Sequence, residues 1–461
     1  MMEMITYSII QKSQLEGATR LDAEYYQPEY LDLEKNLFLT RSYKLWKDID
    51  GRFITGPFGS EFRVDNYISN TNYRYVRGKD VKEFFLLDDD NVYIPEKDFE
   101  RLKKYSLKEK DILVSVVGTL GNAAIADSSV TSAIFSCKST VFRTNSINPY
   151  YFITYLNSRY GYELLKRSVR GAVQTGLNID DLKSLPVFIP SQKEQELIAS
   201  LVLNAIQEHY NSKAFYSQAE DMLLEELGLK DFKAEEELSY IVNLSDVKSA
   251  HRVDADYFQP KYERIIKKIE KQNIRQLGEL VSMKKGFEPG SEEYKNEGKL
   301  FIRVSSVSKH GVIDKDQKFL TRELYETLKK DFEPKAGEIL LTKDATPGIA
   351  HFLKEPIEGI IASGIMRLKL KGNIEAEYLA LCINSIIGQM QIERDAGGSV
   401  IAHWKPEQIK KLQVPILPKP TQQKIADSVR QSHEARKKAK ELLEKAKKEV
   451  EELIEAKSEG E

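Results

Sequence analysis

Arg20-Leu21-Asp22-Ala23-Glu24-Tyr25-Tyr26-Gln27-Pro28-Glu29-Tyr30 returns as Arg252-Val253-Asp254-Ala255-Asp256-Tyr257-Phe258-Gln259-Pro260-Lys261-Tyr262, identical at seven of eleven positions. The chain of 461 residues is therefore a duplicated unit. Solenoid repeats run to roughly 20 to 50 residues, so a repeat this long is expected to be a domain plus a connector. Downstream the offset settles at 227 residues. Asp111-Ile112-Leu113-Val114-Ser115 matches Glu338-Ile339-Leu340-Leu341-Thr342, and Gly121 matches Gly348 in two small-residue turns. Ser136 meets Ser363, Asn157-Ser158 meets Asn384-Ser385, and Gly171-Ala172-Val173 meets Gly398-Ser399-Val400.

Apolar or small residues then fall at Ile198, Val202, Ala205, His209, Ser212, Tyr216, Ala219 and Leu223, a spacing of four and three without a slip. The second copy repeats it at Ile425, Val429, Ser432, Arg436, Ala439, Leu443, Ala446, Val450 and Leu453. A 3.5-residue period sustained over three heptads, with Glu and Lys between, predicts a coiled-coil helix in each copy. Pro186 and Pro190 precede the first helix, Pro415, Pro418 and Pro420 the second, and Gly228 closes the first. A helix over 192–227 spans about 50 Å, longer than one small domain. The polar seam residues His209, Ser212, Ser432 and Arg436 favour two unequal helices pairing antiparallel inside one chain. The expected division is a first domain over 1–190, a central helix over 191–232, a second domain over 233–418 and a C-terminal helix over 419–461.

Cys137 and Cys382 lie in separate copies and make no ligand pair, which reads as two buried thiols. No stretch reaches the roughly 18 apolar residues of a membrane span, and residues 1–10 lack the basic start of a signal peptide, so a cytoplasmic protein with no membrane partner is expected. The net charge of -2 is unlike that of a typical nucleic-acid binder. The average conceals basic clusters, with Arg74, Arg77 and Lys79 near one turn and Arg159, Lys166, Arg167 and Arg170 near another. In the second copy Lys284, Lys285, Arg303, Lys309 and His310 hold related positions. They flank Gly56-Pro57-Phe58-Gly59-Ser60 and Gly286-Phe287-Glu288-Pro289-Gly290-Ser291, where backbone can approach a phosphate. Arg74, Arg77, Lys79, Lys285, Arg303, Lys309 and His310 are accordingly expected to face DNA, with Gln174, Thr175, Ser399 and His403 offering hydrogen bonds from nearby loops.

Strands are expected at 73–76, 112–117, 123–126 and 140–143, and at 301–304, 339–342 and 365–370 in the second copy. Single helices are expected at 149–160 and 376–391. Each domain is then a mixed sheet with helices to one side, an α+β class with two similar domains related by a pseudo-twofold.

The run Gly171-Ala172-Val173-Gln174-Thr175-Gly176-Leu177, then Leu182-Lys183-Ser184-Leu185-Pro186-Val187, then Pro190-Ser191-Gln192-Lys193-Glu194-Gln195-Glu196-Leu197-Ile198-Ala199 resembles the junction of recognition domain and spacer helix in type I restriction-modification specificity subunits. Gly398-Ser399-Val400, Ile409-Lys410-Lys411-Leu412-Gln413-Val414-Pro415 and Gln422-Gln423-Lys424-Ile425-Ala426 repeat it. The second junction departs at Lys419 and Thr421, where the family often has apolar or acidic residues. The resemblance implies a non-catalytic subunit that reads a split target in double-stranded DNA, one half-site per domain, and docks two methyltransferase subunits. It also implies restriction subunits that translocate DNA, with S-adenosylmethionine, ATP and Mg²⁺ held by partners and none by this chain. Independently, two non-identical domains separated by a helix can read two half-sites across a gap.

Two other readings compete. Asn148-Pro149-Tyr150-Tyr151 resembles an adenine methyltransferase loop, but it lacks the second Pro and no Gly-rich cofactor turn lies upstream. Asp316 with Glu333 and Lys335 imitates a nuclease metal site, with no equivalent in the first copy. A scaffold whose coiled coil tethers two interaction domains without DNA specificity is the third class.

Overall fold

The computed structural model describes residues 7–18, 20–59, 61–69, 71–88, 90–130, 132–170, 175–313, 317–396 and 402–459. The chain forms two compact units, residues 1–208 with 437–461, and residues 209–436. The long helices Gln192–Glu226 and Lys419–Glu459 thus each contribute a segment to both units.

In the first unit, an antiparallel sheet runs in the spatial order Arg52–Thr55, Ser139–Arg143, Ile112–Ser115, Ala123–Ile125. A second sheet has the order Val92–Tyr93, Arg74–Val76, Ala133–Phe135, its last two strands parallel. Tyr43–Leu45 pairs with Pro186–Phe188 beside the start of the long helix. The second unit repeats all three arrangements. Its four-stranded sheet is Val281–Lys285, Ile365–Leu370, Glu338–Thr342, Ala350–Phe352, and its three-stranded sheet is Lys318–Leu320, Lys299–Ile302, Gly359–Ile361. Ile274–Gln276 pairs with Gln413–Pro415, and a ribbon of Val307–Ser308 and Gly311–Val312 is added. Every residue of Ile112–Ser115 and of Glu338–Thr342 is buried, as befits a short apolar run inside a covered sheet.

The helices expected at 149–160 and 376–391 are each two. Pro149–Asn157 is followed by Arg159–Arg167, and Ala376–Asn384 by Ile386–Asp395. Ser158 and Ser385 take extended backbone and cap the second helix of each pair through their hydroxyls, which is why Asn-Ser recurs. The glycines three residues on, Gly161 and Gly388, pack where a Cβ would stand 2.1 Å from the Tyr155 carbonyl and 2.2 Å from that of Ile383. The preceding asparagines reach into the sheet. Asn157 Nδ2 donates to the Ala123 carbonyl at 3.1 Å, and Asn384 Nδ2 to that of Ala350 at 2.7 Å. The repeated Arg20 and Arg252 have a similar structural task. Arg20 pairs with Asp22, lies over the Tyr25 ring at 4.7 Å and donates to the Ser168 carbonyl at 3.0 Å, holding the end of Arg159–Arg167. Arg252 repeats the pair with Asp254 at 2.8 Å over Tyr257.

The heptad seam closes within each unit. In the first, Ile198, Val202 and Ala205 are buried with Leu443, Ala446 and Val450, and Lys438–Glu208 and Lys457–Glu194 ion pairs set an antiparallel alignment. Leu453 is only half-buried, and Ile454 takes the fully buried place. A helix of 3.6 residues per turn drifts from a strict 3.5 repeat, so the seam moves on by one residue at its end. In the second unit, Tyr216, Ala219 and Leu223 share a core with Ile425 and Val429. Ser432 Oγ donates to the Ser212 carbonyl at 2.7 Å inside that seam. Among the described residues no helix is long and apolar enough to cross a membrane.

Candidate nucleic-acid interface

Several loops at strand ends converge in each unit, and they are the loops that the repeat brings into correspondence. In the first unit, Ser136 N donates to the Val76 carbonyl at 2.9 Å, Val116 N to that of Lys138 at 2.9 Å and Leu177 N to that of Val116 at 3.0 Å. Thr119 Oγ1 reaches the Gly78 carbonyl at 3.4 Å. In the second, Lys343 N donates to the Gly364 carbonyl at 2.9 Å, Ala345 N to that of Ala402 at 2.9 Å and Trp404 N to that of Lys343 at 2.8 Å. Glycine is required at Gly56 and Gly286 for this packing. A Cβ there would stand 2.5 Å from the Ser136 carbonyl and 2.2 Å from that of Ala362. At these two glycines the close approach is to protein backbone.

The basic residues of the first unit are tied down locally. Arg74 is half-buried and donates Nη2 to the Leu87 carbonyl, while burial lowers its pKa. Arg77, 17% exposed, clasps Asp80, itself 1% exposed, through Nε at 3.0 Å and Nη2 at 2.9 Å, and reaches Asp90 at 3.3 Å. The hydrogen bond to Asp80 raises the Arg77 pKa above its ordinary value. Lys79 is 58% exposed and meets Asp90 at 2.9 Å. Sequence spacing held the signal for this clasp, an arginine three residues before an aspartate. Replacing Arg77 with alanine is expected to cost about 2–3 kcal/mol, because the buried Asp80 loses its guanidinium donors and keeps only the backbone N–H of residue 77. Lys79→Ala should stay within about 0.5 kcal/mol. Urea unfolding of the two variants checks both, and equal midpoints would deny the clasp its structural weight.

In the second unit Arg303 occupies the place of Arg77, but its backbone N–H meets Ser306 Oγ at 3.4 Å where Arg77 meets Asp80. Lys285 is exposed at the end of its strand, without an ion pair among the described residues. Lys309 and His310 are not at the converging loops. They form the tip of the added ribbon, with the Lys309 ammonium 4.9 Å from the Tyr216 ring centre and the His310 ring 5.0 Å from it. Beside them the rings of His351 and His433 lie 5.4 Å apart. Burial drives the His310 pKa down to about 2 and that of His351 to about 4, and lowers that of His433. This histidine group was not legible in sequence. Among the described residues no cluster of His, Cys, Asp or Glu is arranged to hold a metal ion.

Thr175 is exposed beside the paired backbone hydrogen bonds between Arg170 and Gly176, at 3.0 and 2.9 Å. His403 is 60% exposed, and its Nδ1 lies 2.8 Å from Asp344 Oδ1. Gln174, Ser399 and Asp316 lie outside the described residues. The arrangement presents two loop sets of the same topology and different side chains.

A family model described as the type I restriction modification DNA specificity domain matches residues 58–208 and 269–451. No curated protein matches the chain. Among solved structures, the chain is similar to the type I restriction-modification S subunit of M. genitalium at 15% identity, covering 90% of this chain and 95% of that one, TM-score 0.41. It is also similar to the HsdS subunit of Thermoanaerobacter tengcongensis at 12% identity, covering 90% and 96%, TM-score 0.28.

Proposed function

The chain belongs to the type I restriction modification DNA specificity family, matched twice along its length, and from that premise we propose that it reads a bipartite DNA target, one half-site per unit. It is a specificity subunit with two target-recognition domains, a recognition component and not an enzyme. The observation that carries the reading is the loop set common to both units, on which Asp80 and Thr175 in one correspond in place to Ser306 and Ala402 in the other. A repeated scaffold with divergent loops suits two different half-sites. Two methyltransferase subunits dock on it, and restriction subunits join them. S-adenosylmethionine, ATP and Mg²⁺ belong to those partners. The assembly works in the cytoplasm, where the DNA is.

Selection from a random duplex pool by the chain complexed with its methyltransferase tests the reading. Two short motifs separated by a fixed unread gap are expected. A single motif, or none, would overturn it. At the exposed Lys79, replacement by alanine should lower affinity alike for all sequences and reduce the log-log salt slope by about one.

The domain division that accompanies this proposal makes the central helix the ruler of the gap. Four residues inserted near Leu227 lengthen a helix by about 6 Å and turn it about 40° beyond a full turn. Against a rise of about 3.4 Å per base pair, the selected target should keep both motifs and gain one or two unread bases. Altered motif bases, or an unchanged gap at full affinity, would separate the helix from the spacing.

A further inference from the structure

At one place the two loop sets differ in chemistry as well as in shape. The backbone bridge that ties the loop before the long helix to the turn after the central strand joins Val117 to Gly176 in the first unit and Asp344 to His403 in the second. The first pair carries no side-chain hydrogen-bonding group. The second is a built device. Asp344 Oδ1 meets His403 Nδ1 at 2.8 Å, and Asp344 Oδ2 accepts from the ammonium of Lys343, whose side chain is 11% exposed. A Cβ on Gly364 would stand 3.5 Å from the Asp344 Cβ, so the aspartate is packed from that side as well. The carboxylate is thereby fixed between two donors.

A carboxylate only accepts, so the proton on His403 Nδ1 points at Asp344 and cannot move to the other ring nitrogen. In the neutral ring, Nε2 is then an acceptor with a set direction, on a side chain that is 60% exposed. Base edges in the major groove distinguish themselves by such groups. Adenine presents N6–H₂ and cytosine N4–H₂ as donors, whereas guanine and thymine present carbonyl acceptors at the equivalent positions.

We propose that His403, oriented by Asp344, is a specificity-determining residue of the second unit, its Nε2 accepting a hydrogen bond from the exocyclic amino group of adenine or cytosine at one position of that unit's half-site. Asp344 is the positioning residue. Val117 and Gly176, at these places in the first unit, carry no side-chain group for such a contact. The inference rests on the bipartite reading of DNA proposed above.

The test is selection from a random duplex pool at pH 8. The probe is the full chain in complex with its methyltransferase, as wild type, His403→Ala, Asp344→Ala and Asp344→Asn. Wild type should prefer A or C at one position of one half-site. His403→Ala should reduce that preference by roughly tenfold and leave the other half-site unchanged. Asp344→Ala should relax the same position, and Asp344→Asn should restore it, because the asparagine carbonyl still accepts from Nδ1–H. His403 is exposed, so its alanine variant remains informative if Asp344→Ala fails to fold. An unchanged half-site in His403→Ala, or loss spread over both half-sites, overturns the inference while the DNA reading stands. A wild-type complex that selects nothing overturns the DNA reading and this inference with it.

Discussion

Arg367→Ala is expected to lower the stability of the second unit by about 3–5 kcal/mol, the range for breaking a buried ion pair from one side. Glu338 receives Arg367 Nε and Nη2 at 2.8 Å each and the backbone N–H of Lys335 at 2.8 Å. The two side chains are 8% and 9% exposed, so a carboxylate left alone there meets little water. Arg367 also donates to the Asp331 carbonyl at 3.0 Å, a bond lost in the same stroke. The first unit solves the same problem from a different strand position. Asp111, in the place of Glu338, is held by Arg143 at 2.6 and 2.7 Å and by the Lys108 N–H at 2.7 Å. Arg143 is 30% exposed, and its loss should cost less. The two tryptophans, Trp46 and Trp404, lie buried one per unit. Urea unfolding followed by Trp404 fluorescence in a Trp46→Phe background therefore reports the second unit. The double variant Arg367→Met with Glu338→Leu should recover most of the loss, since apolar residues replace such pairs at little cost. An Arg367→Ala midpoint within about 1 kcal/mol of wild type would show that the carboxylate finds other partners.

Acidification is expected to strike the second unit selectively. All six histidines fall within residues 209–436 and none in the other unit. His310, His351 and His433 are held neutral because burial lowers their pKa values, to about 2 and about 4 for the first two. Like charges on Arg436 and Lys309 oppose protonation of His310 further, while Glu377 opposes the lowering at His433. The unfolded chain binds these protons near pH 6.5 and the folded unit does not. Their stabilising contribution is therefore present above pH 6.5 and is lost as pH falls from there towards the folded values. Each histidine removes up to about 1.4 kcal/mol per pH unit over that window. Stability measured through Trp404 should fall by several kcal/mol between pH 6.5 and 4.5, before most carboxylates titrate, and that measured through Trp46 should fall much less. His351→Phe and His433→Phe should flatten the Trp404 profile. Parallel profiles for the two tryptophans would sink the idea.

Local features of the sequence carried the fold a long way. The recurring Arg-x-Asp stretch, the Asn-Ser pairs and the heptads each mark a physical task repeated in both units: an ion pair at a helix end, a helix break with a sheet contact, a seam. The match to strands was poorer. Arg52–Thr55 and Val281–Lys285 are short and mix charged with apolar residues, so their pairing is decided by the buried strands beside them. The candidate site was the least legible part. Arg77 and Lys309 stand out by charge and nearness to turns, yet the Lys309 ammonium meets Tyr216 on the long helix, and the partners of Arg77 include Asp90 across a loop. The histidine group joins residues far apart along the chain through a two-stranded ribbon that no pattern announced.

The serine pair in the seam bears on how the chain finds its fold. Ser432 Oγ lies 3.3 Å from Ser212 Oγ and donates to the Ser212 carbonyl, both side chains being buried. A slip of one heptad would set Ser432 against Ala205 or Ala219, residues with no side-chain group to meet a hydroxyl. Mispaired helices would still bury their apolar seam, so the hydrophobic term alone discriminates weakly among alignments. Only the native alignment sets the two hydroxyls against each other. Their contact widens the gap to the slipped pairings that the apolar seam leaves open.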